Sequence, residues 1–164
     1  MVRYLDNSST TRPYDSVTDK MAEIMKSQYG NPSSLHRLGI AAEKTVKTAQ
    51  EQIASTLKVS PSEIYFTSGG TESDNLAIMG VCQSARGRHI ISTPLEHPAV
   101  MNTLAFLGKH GWKIDFIPVG HDGVVNLPAF EDLIRSDTVL VTAMLVNNEI
   151  GSVQPIAKMA AALK

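Results

Sequence analysis

Four short runs, at 63–67, 89–93, 113–119 and 138–146, alternate with segments of helical period. The runs are rich in the β-branched and aromatic residues that strands favour. Between them lie helical patterns at 71–85, 97–109 and 127–135, and another begins near Pro155. Strand-then-helix with short connections narrows the choice of fold sharply. It calls for parallel strands joined by right-handed crossovers, with helices on the two faces of the sheet. The runs are mostly continuous rather than alternating, as in strands buried on both sides. Two helical stretches come first. Residues 13–28, opened by Arg12-Pro13, carry Val17, Met21, Ile24, Met25 and Gln28 at helical spacing. Residues 39–57 put Ala42, Val46, Ala49, Ile53 and Leu57 on one stripe. A Gly-Asn-Pro-Ser-Ser loop at 30–34 separates the two, and both stripes, Met21 and Met25 included, read as core.

Composition removes several function classes. The formal charge is −1, from 15 Lys+Arg against 16 Asp+Glu, which excludes a basic nucleic-acid footprint and an acidic solvating tail. With 43% hydrophobic and 19% charged residues, the 164-residue chain has the balance of a folded domain rather than a disordered one. Its uncharged runs fall far short of the ~18 residues of a membrane helix, so no membrane partner is expected. The opening MVRYLDNSSTT lacks the apolar stretch of a secretory signal. The single cysteine, Cys82, permits neither an internal disulfide nor a zinc cluster, and a reducing, cytoplasmic setting is the expectation. The last helical pattern, with Ile156, Met159, Ala160 and Leu163, reaches Lys164 without a Gly, Asn or Pro to end it. By the established rhythm a further strand would follow, so the expectation is a fragment of something longer.

Three segments carry chemistry. Residues 64–73 read IYFTSGGTES, a strand entering a Ser-Gly-Gly-Thr turn and then a helix. The unpaired N–H groups of a helix start suit a phosphate, and a Thr hydroxyl adds a donor. The same string also reads as a plain turn capped by Ser68 or Thr71. It is not a nucleotide-binding loop of the Gly-Lys-Ser/Thr kind. In Glu96-His97-Pro98, Pro98 fits the first helical position and His97 the N-cap. A His at a strand's C-terminal end can stack on a planar cofactor or move a proton, or simply cap the helix. In Val146-Asn147-Asn148-Glu149-Ile150-Gly151, an amide can bond a phenolate or carboxylate without titrating, or form an Asx turn. A parallel sheet gathers the C-terminal ends of its strands along one edge, so the three segments would share a site. His36, His89, His110 and His121 show no metal-ligand spacing and read as surface or cap residues. Cys82, beside Val81 in a predicted helix, reads as core rather than nucleophile.

These strings come with others in a fixed order: YLDNSSTT at 4–11, YGNPSSLH at 29–36, TSGGTESDNLAI at 67–78, EHPAV at 96–100 and NNEIG at 147–151. Together they resemble the amino-terminal part of the cysteine desulfurases, pyridoxal-phosphate enzymes of fold type I in the class V aminotransferase group. NNEIG and GNPSSLH resemble the branch that serves iron–sulfur cluster assembly. The resemblance implies that Gly70 and Thr71 hold the cofactor phosphate. It implies that His97 stacks on the pyridine ring, with a part in proton transfer. Asn148 would contact the cofactor's phenolic oxygen and lie near the substrate carboxylate. Residues 6–11 and 31–34 would border the site. Ser9 stands where the family usually has Ala, and Arg12 where Pro often follows the paired threonines.

The resemblance implies an α/β fold. Residues 1–60 would form an amino-terminal helical segment. Residues 61–164 would form part of a three-layer cofactor-binding large domain with an incomplete sheet. It also implies a reaction, L-cysteine to L-alanine with the sulfur left as an enzyme persulfide. Its partners would be a sulfur-acceptor protein and either a second copy in a homodimer or a complementary carboxy-terminal half. Such enzymes run to roughly 400 residues by resemblance. The Asp that pairs with the ring nitrogen, the Schiff-base lysine and the reactive-cysteine loop have no match among these residues, and none of the nine lysines stands in a matching context. The expectation is a chain inactive alone, holding the cofactor weakly and noncovalently. In the implied sheet the first strand, at 63–67, lies apart from the other three, so it would find no neighbour here, while 89–93, 113–119 and 138–146 would pair. Other readings remain open: another fold-type-I enzyme such as an aminotransferase, or a non-catalytic partner-binding module.

Overall fold

The computed structural model describes residues 3–163. They form two compact units, Met1–Phe66 and Thr67–Lys164. The first is helical. Helix α1 (Asp15–Ser27) is followed by α2 (Arg37–Leu57) and a single 3₁₀ turn at Pro61–Glu63. His36 caps α2 by accepting the Gly39 N–H at Nδ1 (3.3 Å). Gly39 itself is required, because a Cβ there would run into the Ser34 carbonyl of the preceding loop. Thr45 Oγ1 donates to Gln28 Oε1 at 2.7 Å, tying the end of α1 to α2. The apolar stripe of α1 is not core within this unit, and of the α2 stripe only Ala42 is buried, with Val46, Ile53 and Leu57 exposed. No residue of α1 is buried, and Met21 and Met25 are 56% and 67% exposed. Periodicity identified the helix correctly but not its cover, since within this unit nothing encloses that face.

Residues 63–67 do not form a strand. Glu63 ends the 3₁₀ turn, Ile64 is extended, and Tyr65 and Phe66 are exposed. Among the described residues no strand pairs with this run. A β-branched and aromatic run has strand propensity, but a strand exists only with a ladder partner.

The second unit is the α/β element. Its order is α3 (Gly70–Ser84), β1 (His89–Ser92), α4 (Pro98–Lys109), β2 (Lys113–Phe116), α5 (Leu127–Leu133), β3 (Thr138–Thr142) and α6 (Ile156–Ala162). The three strands are parallel in the order β2-β1-β3, with Ile91 opposite Asp115 on one side and Val141 on the other. The predicted grouping of the three later strands is therefore present, each shorter than its apolar run. Opposite faces of β1 feed two cores. Ile90 packs with Ile78, Cys82, Val100, Leu104, Leu107 and Trp112 from α3, α4 and the turn before β2. Ile91 packs with Ile117, Val125, Phe130 and Met159 beneath α5 and α6. All four residues of β1 are buried, whereas those of β3 are half-buried. The β1–β3 register slips by one between His89–Thr138 and Ile90–Leu140, leaving Val139 as the extra residue of a bulge. Cys82 is a core residue, and burial pushes its thiol pKa up.

His89, expected at the surface, is fully buried. Its Nδ1 lies 2.7 Å from Thr138 Oγ1 and its Nε2 3.1 Å from Asp115 Oδ2, so one side chain joins all three strands. Partners on the neighbouring strands, invisible to local sequence, make its burial tolerable.

Candidate cofactor site

The C-terminal ends of β1 and β3 lie side by side, and the loops that leave them carry His97 and Asn148. After β1 the chain turns at 93–97 into α4. Pro98 occupies the first helical turn and His97 the N-cap, its Nδ1 accepting the Ala99 N–H at 3.1 Å. That bond leaves Nδ1 without a proton, so the neutral ring carries its hydrogen on Nε2. The ring is exposed.

After β3 the loop folds back on itself. Gln154 N–H donates to Leu145 O and Asn147 N–H to Ser152 O, at 2.8 and 2.9 Å. Asn147 Oδ1 accepts the N–H groups of Glu149 and Ile150, at 2.9 and 3.0 Å. The Asx turn read from the sequence thus belongs to buried Asn147. Its neighbour Asn148 is exposed, with Nδ2 on Glu149 Oε1 at 3.0 Å. Gln154, 4% exposed, fastens the loop to the 120–125 turn through Val125 N–H (3.0 Å) and Gly123 O (2.7 Å).

Helix α3 supplies the third component. Its first intrahelical bond runs from Ser73 N–H to Gly69 O (3.1 Å), so the amides of Gly70, Thr71 and Glu72 precede the ladder. No side chain caps this end, whereas His36, His97 and Asn126 cap α2, α4 and α5. Neither Ser68 nor Thr71 acts as the cap that the plain-turn reading required. Ser68 is turned the other way: its N–H and hydroxyl both donate to Glu72 Oε2 at 2.6 Å. Those two bonds, the hydroxyl's first, hold the Glu72 pKa below the ordinary carboxylate value. A Cβ built on Gly69 or Gly70 would meet nothing within 4 Å, so the helix start opens onto free space. Helices α3 and α4 lie together, with Thr103 Oγ1 donating to Asn75 Oδ1 at 2.7 Å. Thr71 and Ala99 line one groove between them, of about 380 Å³.

Of the four residues singled out from sequence, Gly70 and Thr71 open α3, His97 caps α4 and Asn148 lies in the loop between β3 and α6, all within the second unit. Sequence reasoning passed over two others. Glu96 Oε1 accepts the Thr93 hydroxyl (2.8 Å) and the Met144 N–H (2.7 Å), and Asn147 Nδ2 donates to Leu95 O (2.8 Å). Their signal was adjacency: each directly precedes a candidate residue at the end of a strand-and-loop run.

Comparison with known proteins gives this arrangement its family. The model of the class-V aminotransferases matches residues 3–164. The chain belongs to that family. Among its relatives, "Cysteine desulfurase IscS" of Methanosarcina thermophila is 41% identical over 158 residues, covering 95% of this chain and 39% of that protein. The protein of the same name from Vibrio cholerae serotype O1 is 46% identical over 159 residues, 94% of this chain and 39% of the relative. A solved "NIFS-LIKE PROTEIN" superposes with a TM-score of 0.97 at 43% identity, over all of this chain and 46% of that one. "SspA in complex with cysteine" follows at 0.91 and 35%, over 98% of this chain and 47% of that one. This class-V aminotransferase chain thus spans less than half the length of the relatives it matches. Among the described residues no helix is long and apolar enough to cross a membrane, and no cluster of His, Cys, Asp and Glu is disposed to hold a metal.

Proposed function

We propose that this chain is the amino-terminal part of a pyridoxal-phosphate-dependent cysteine desulfurase and supplies the phosphate-binding and ring-facing side of its cofactor site. The observation that carries the reading is the uncapped start of α3 beside the His97-capped start of α4, on the sheet edge where parallel folds bind ligands. The residues present fit the group. The amides of Gly70 and Thr71 and the Thr71 hydroxyl would hold the phosphate, with the open space at Gly69 and Gly70 leaving it room. The nearby negative charge of Glu72 is engaged by Ser68. His97 would lie on the pyridine ring, its proton kept on Nε2 by the Ala99 bond and available for transfer. Asn148 would meet the phenolic oxygen and lie near the substrate carboxylate, donating without titrating.

When bound, the cofactor supplies an electron sink. The net reaction moves sulfur from L-cysteine to an enzyme thiol, giving L-alanine and a persulfide; the substrate's C–S bond breaks and an S–S bond forms. Cys82 is not that thiol, because it is buried in a core and its thiolate is disfavoured. The lysine anchor, the ring-nitrogen partner and the reactive cysteine would come from the part of the family fold that this chain does not span. A complementary half, or a longer chain paired as a homodimer, would provide them. The setting would be cytoplasmic, where a sulfur-acceptor protein of iron–sulfur assembly takes the persulfide sulfur.

Titration of the chain with pyridoxal phosphate, followed by ligand absorbance, tests the reading. Weak binding that borohydride does not fix stoichiometrically to any one lysine is expected. A hydrogen bond to a charged group corresponds to roughly ten- to hundredfold in affinity, so Thr71→Ala should weaken binding by about that factor. His97→Ala should weaken it as well. Adding a carboxy-terminal half should restore alanine release from cysteine, lowered again by either substitution. Binding and restored activity indifferent to both substitutions would overturn the site.

A further inference from the structure

His97 and Asn148 sit on separate loops, one leaving β1 and the other leaving β3. The residue before each turns into the protein and crosses to the other loop. Glu96 reaches from the first loop to the Met144 N–H of the second at 2.7 Å, and the same carboxylate oxygen takes the Thr93 hydroxyl at 2.8 Å. Asn147 reaches back, its Nδ2 donating to the Leu95 carbonyl at 2.8 Å. Each loop therefore lends a side chain to the backbone of the other. Glu96 is half-buried and Asn147 only 7% exposed, so water competes poorly for these bonds. At Asn147 the two ends of the amide do different work: Oδ1 holds its own loop's Asx turn while Nδ2 holds the neighbour.

We infer that Glu96 and Asn147 form a reciprocal clamp that fixes His97 relative to Asn148, and that both are positioning residues of the cofactor site. The inference rests on the cofactor reading of His97 and Asn148. Its physical basis is that a displacement of about 1 Å between two groups meeting one planar ligand forfeits much of the benefit of holding them ready. Thr93 completes the arrangement: its hydroxyl donates to Glu96 and its oxygen accepts the Leu95 N–H (3.3 Å), fixing the carboxylate within its own loop.

The chemistry makes distinct predictions for conservative changes. One oxygen of Glu96 accepts both bonds, so Glu96→Gln keeps the clamp and Glu96→Ala removes it. Asn147→Asp keeps the oxygen of the Asx turn but sets a second oxygen against the Leu95 carbonyl, breaking the clamp alone. In the isotope-labelled chain, Glu96→Ala should speed hydrogen exchange at the Met144 amide by roughly tenfold or more. It should also shift the resonances of Asn147 and Asn148 across the gap. Asn147→Asp should shift the His97 ring signals, and Glu96→Gln should match the unsubstituted chain. With pyridoxal phosphate as probe, Glu96→Ala and Asn147→Asp should each weaken binding about tenfold, while Glu96→Gln does not. Inorganic phosphate, which meets only the α3 start, should bind all variants alike. If Glu96→Ala unfolds the chain, Asn147→Asp carries the same comparison. Effects confined to the substituted loop, or a Glu96→Gln variant that behaves like Glu96→Ala, would overturn the clamp. Cross-loop shifts in a chain that takes up no pyridoxal phosphate would uphold the clamp and sink the cofactor reading. Cofactor binding that is equally tight in all variants would do the reverse.

Discussion

Thr138→Val removes one oxygen from the chain that crosses the sheet, and its cost follows from where protons must sit. Thr138 Oγ1 accepts the Arg135 N–H at 2.9 Å and lies 2.7 Å from His89 Nδ1. His89 Nε2 faces Asp115 Oδ2 at 3.1 Å, and a carboxylate needs a donor there. A neutral ring then carries its proton on Nε2, so Nδ1 must accept from the Thr138 hydroxyl. Valine matches threonine in shape but leaves Nδ1 bare in a residue with no exposure. An orphaned buried acceptor costs about 1–3 kcal/mol. The Arg135 N–H adds little, since its residue is accessible to water. With an m-value of ~2 kcal/mol per M for a small protein, the urea midpoint should fall by about 0.5–1.5 M. The control is the double-mutant cycle with His89→Ala, in which the valine substitution has no acceptor left to orphan and should cost almost nothing. A coupling of about 1–3 kcal/mol is therefore expected between the two sites. Equal costs in both backgrounds, or a midpoint unmoved by Thr138→Val alone, would refute the proton assignment and with it this account of the buried histidine.

Two further outcomes follow from the same unit. At Asp115 burial raises the pKa, but the Lys113 hydrogen bond and charge, with the His89 hydrogen bond, outweigh it and hold it below the ordinary carboxylate value. A depressed carboxyl contributes stability above the unfolded pKa and loses it as pH falls through the folded one; Lys113→Met should therefore destabilise the chain at pH 7 and cease to do so near pH 2, as acid and neutral urea curves will show. Gly123 has φ +71, and a Cβ there would stand 2.5 Å from Ile150 Cδ1; Gly123→Ala should cost about 1–3 kcal/mol and shift the 147–151 resonances, and an unperturbed loop would refute the close approach.

What the sequence disclosed was what local pattern can encode. Ile90 and Ile91, adjacent and both apolar, announce a strand buried on two faces, and they supply one residue to each core. His97-Pro98 announces a helix start, and His97 caps it. Partnerships were harder. His89 contacts residues 26 and 49 positions away, and the Glu96 and Asn147 bonds span 48 and 52, so no window of sequence displays them. The run at 63–67 shows the complementary failure. Its residues prefer a strand, but the ladder partner it was expected to lack is absent among the described residues, and preference without a partner leaves no strand, with Glu63 closing a 3₁₀ turn and Tyr65 and Phe66 exposed. The α1 stripe fails likewise, because amphipathicity says which face wants cover and not what covers it.

The loops that carry His97 and Asn148 leave strands with unequal support. His97 hangs from β1, the central and fully buried strand, paired on both sides. Asn148 hangs from β3, whose far edge pairs with no strand among the described residues and whose flank opens into a groove lined by Val141, Ala143, Ile156 and Met159. An edge strand is the weaker support, open to pairing along its free side. The β3 loop does not depend on that edge. Leu145 and Asn147 close it against Gln154 and Ser152, Gln154 secures it to the Gly123 turn, and Glu96 and Asn147 fasten it to the loop from β1. Every one of these bonds lies on the β1 side or within the loop. The loops that carry His97 and Asn148 are thus held by contacts this chain makes with itself, and a strand added beside β3 would extend the sheet without having to build them.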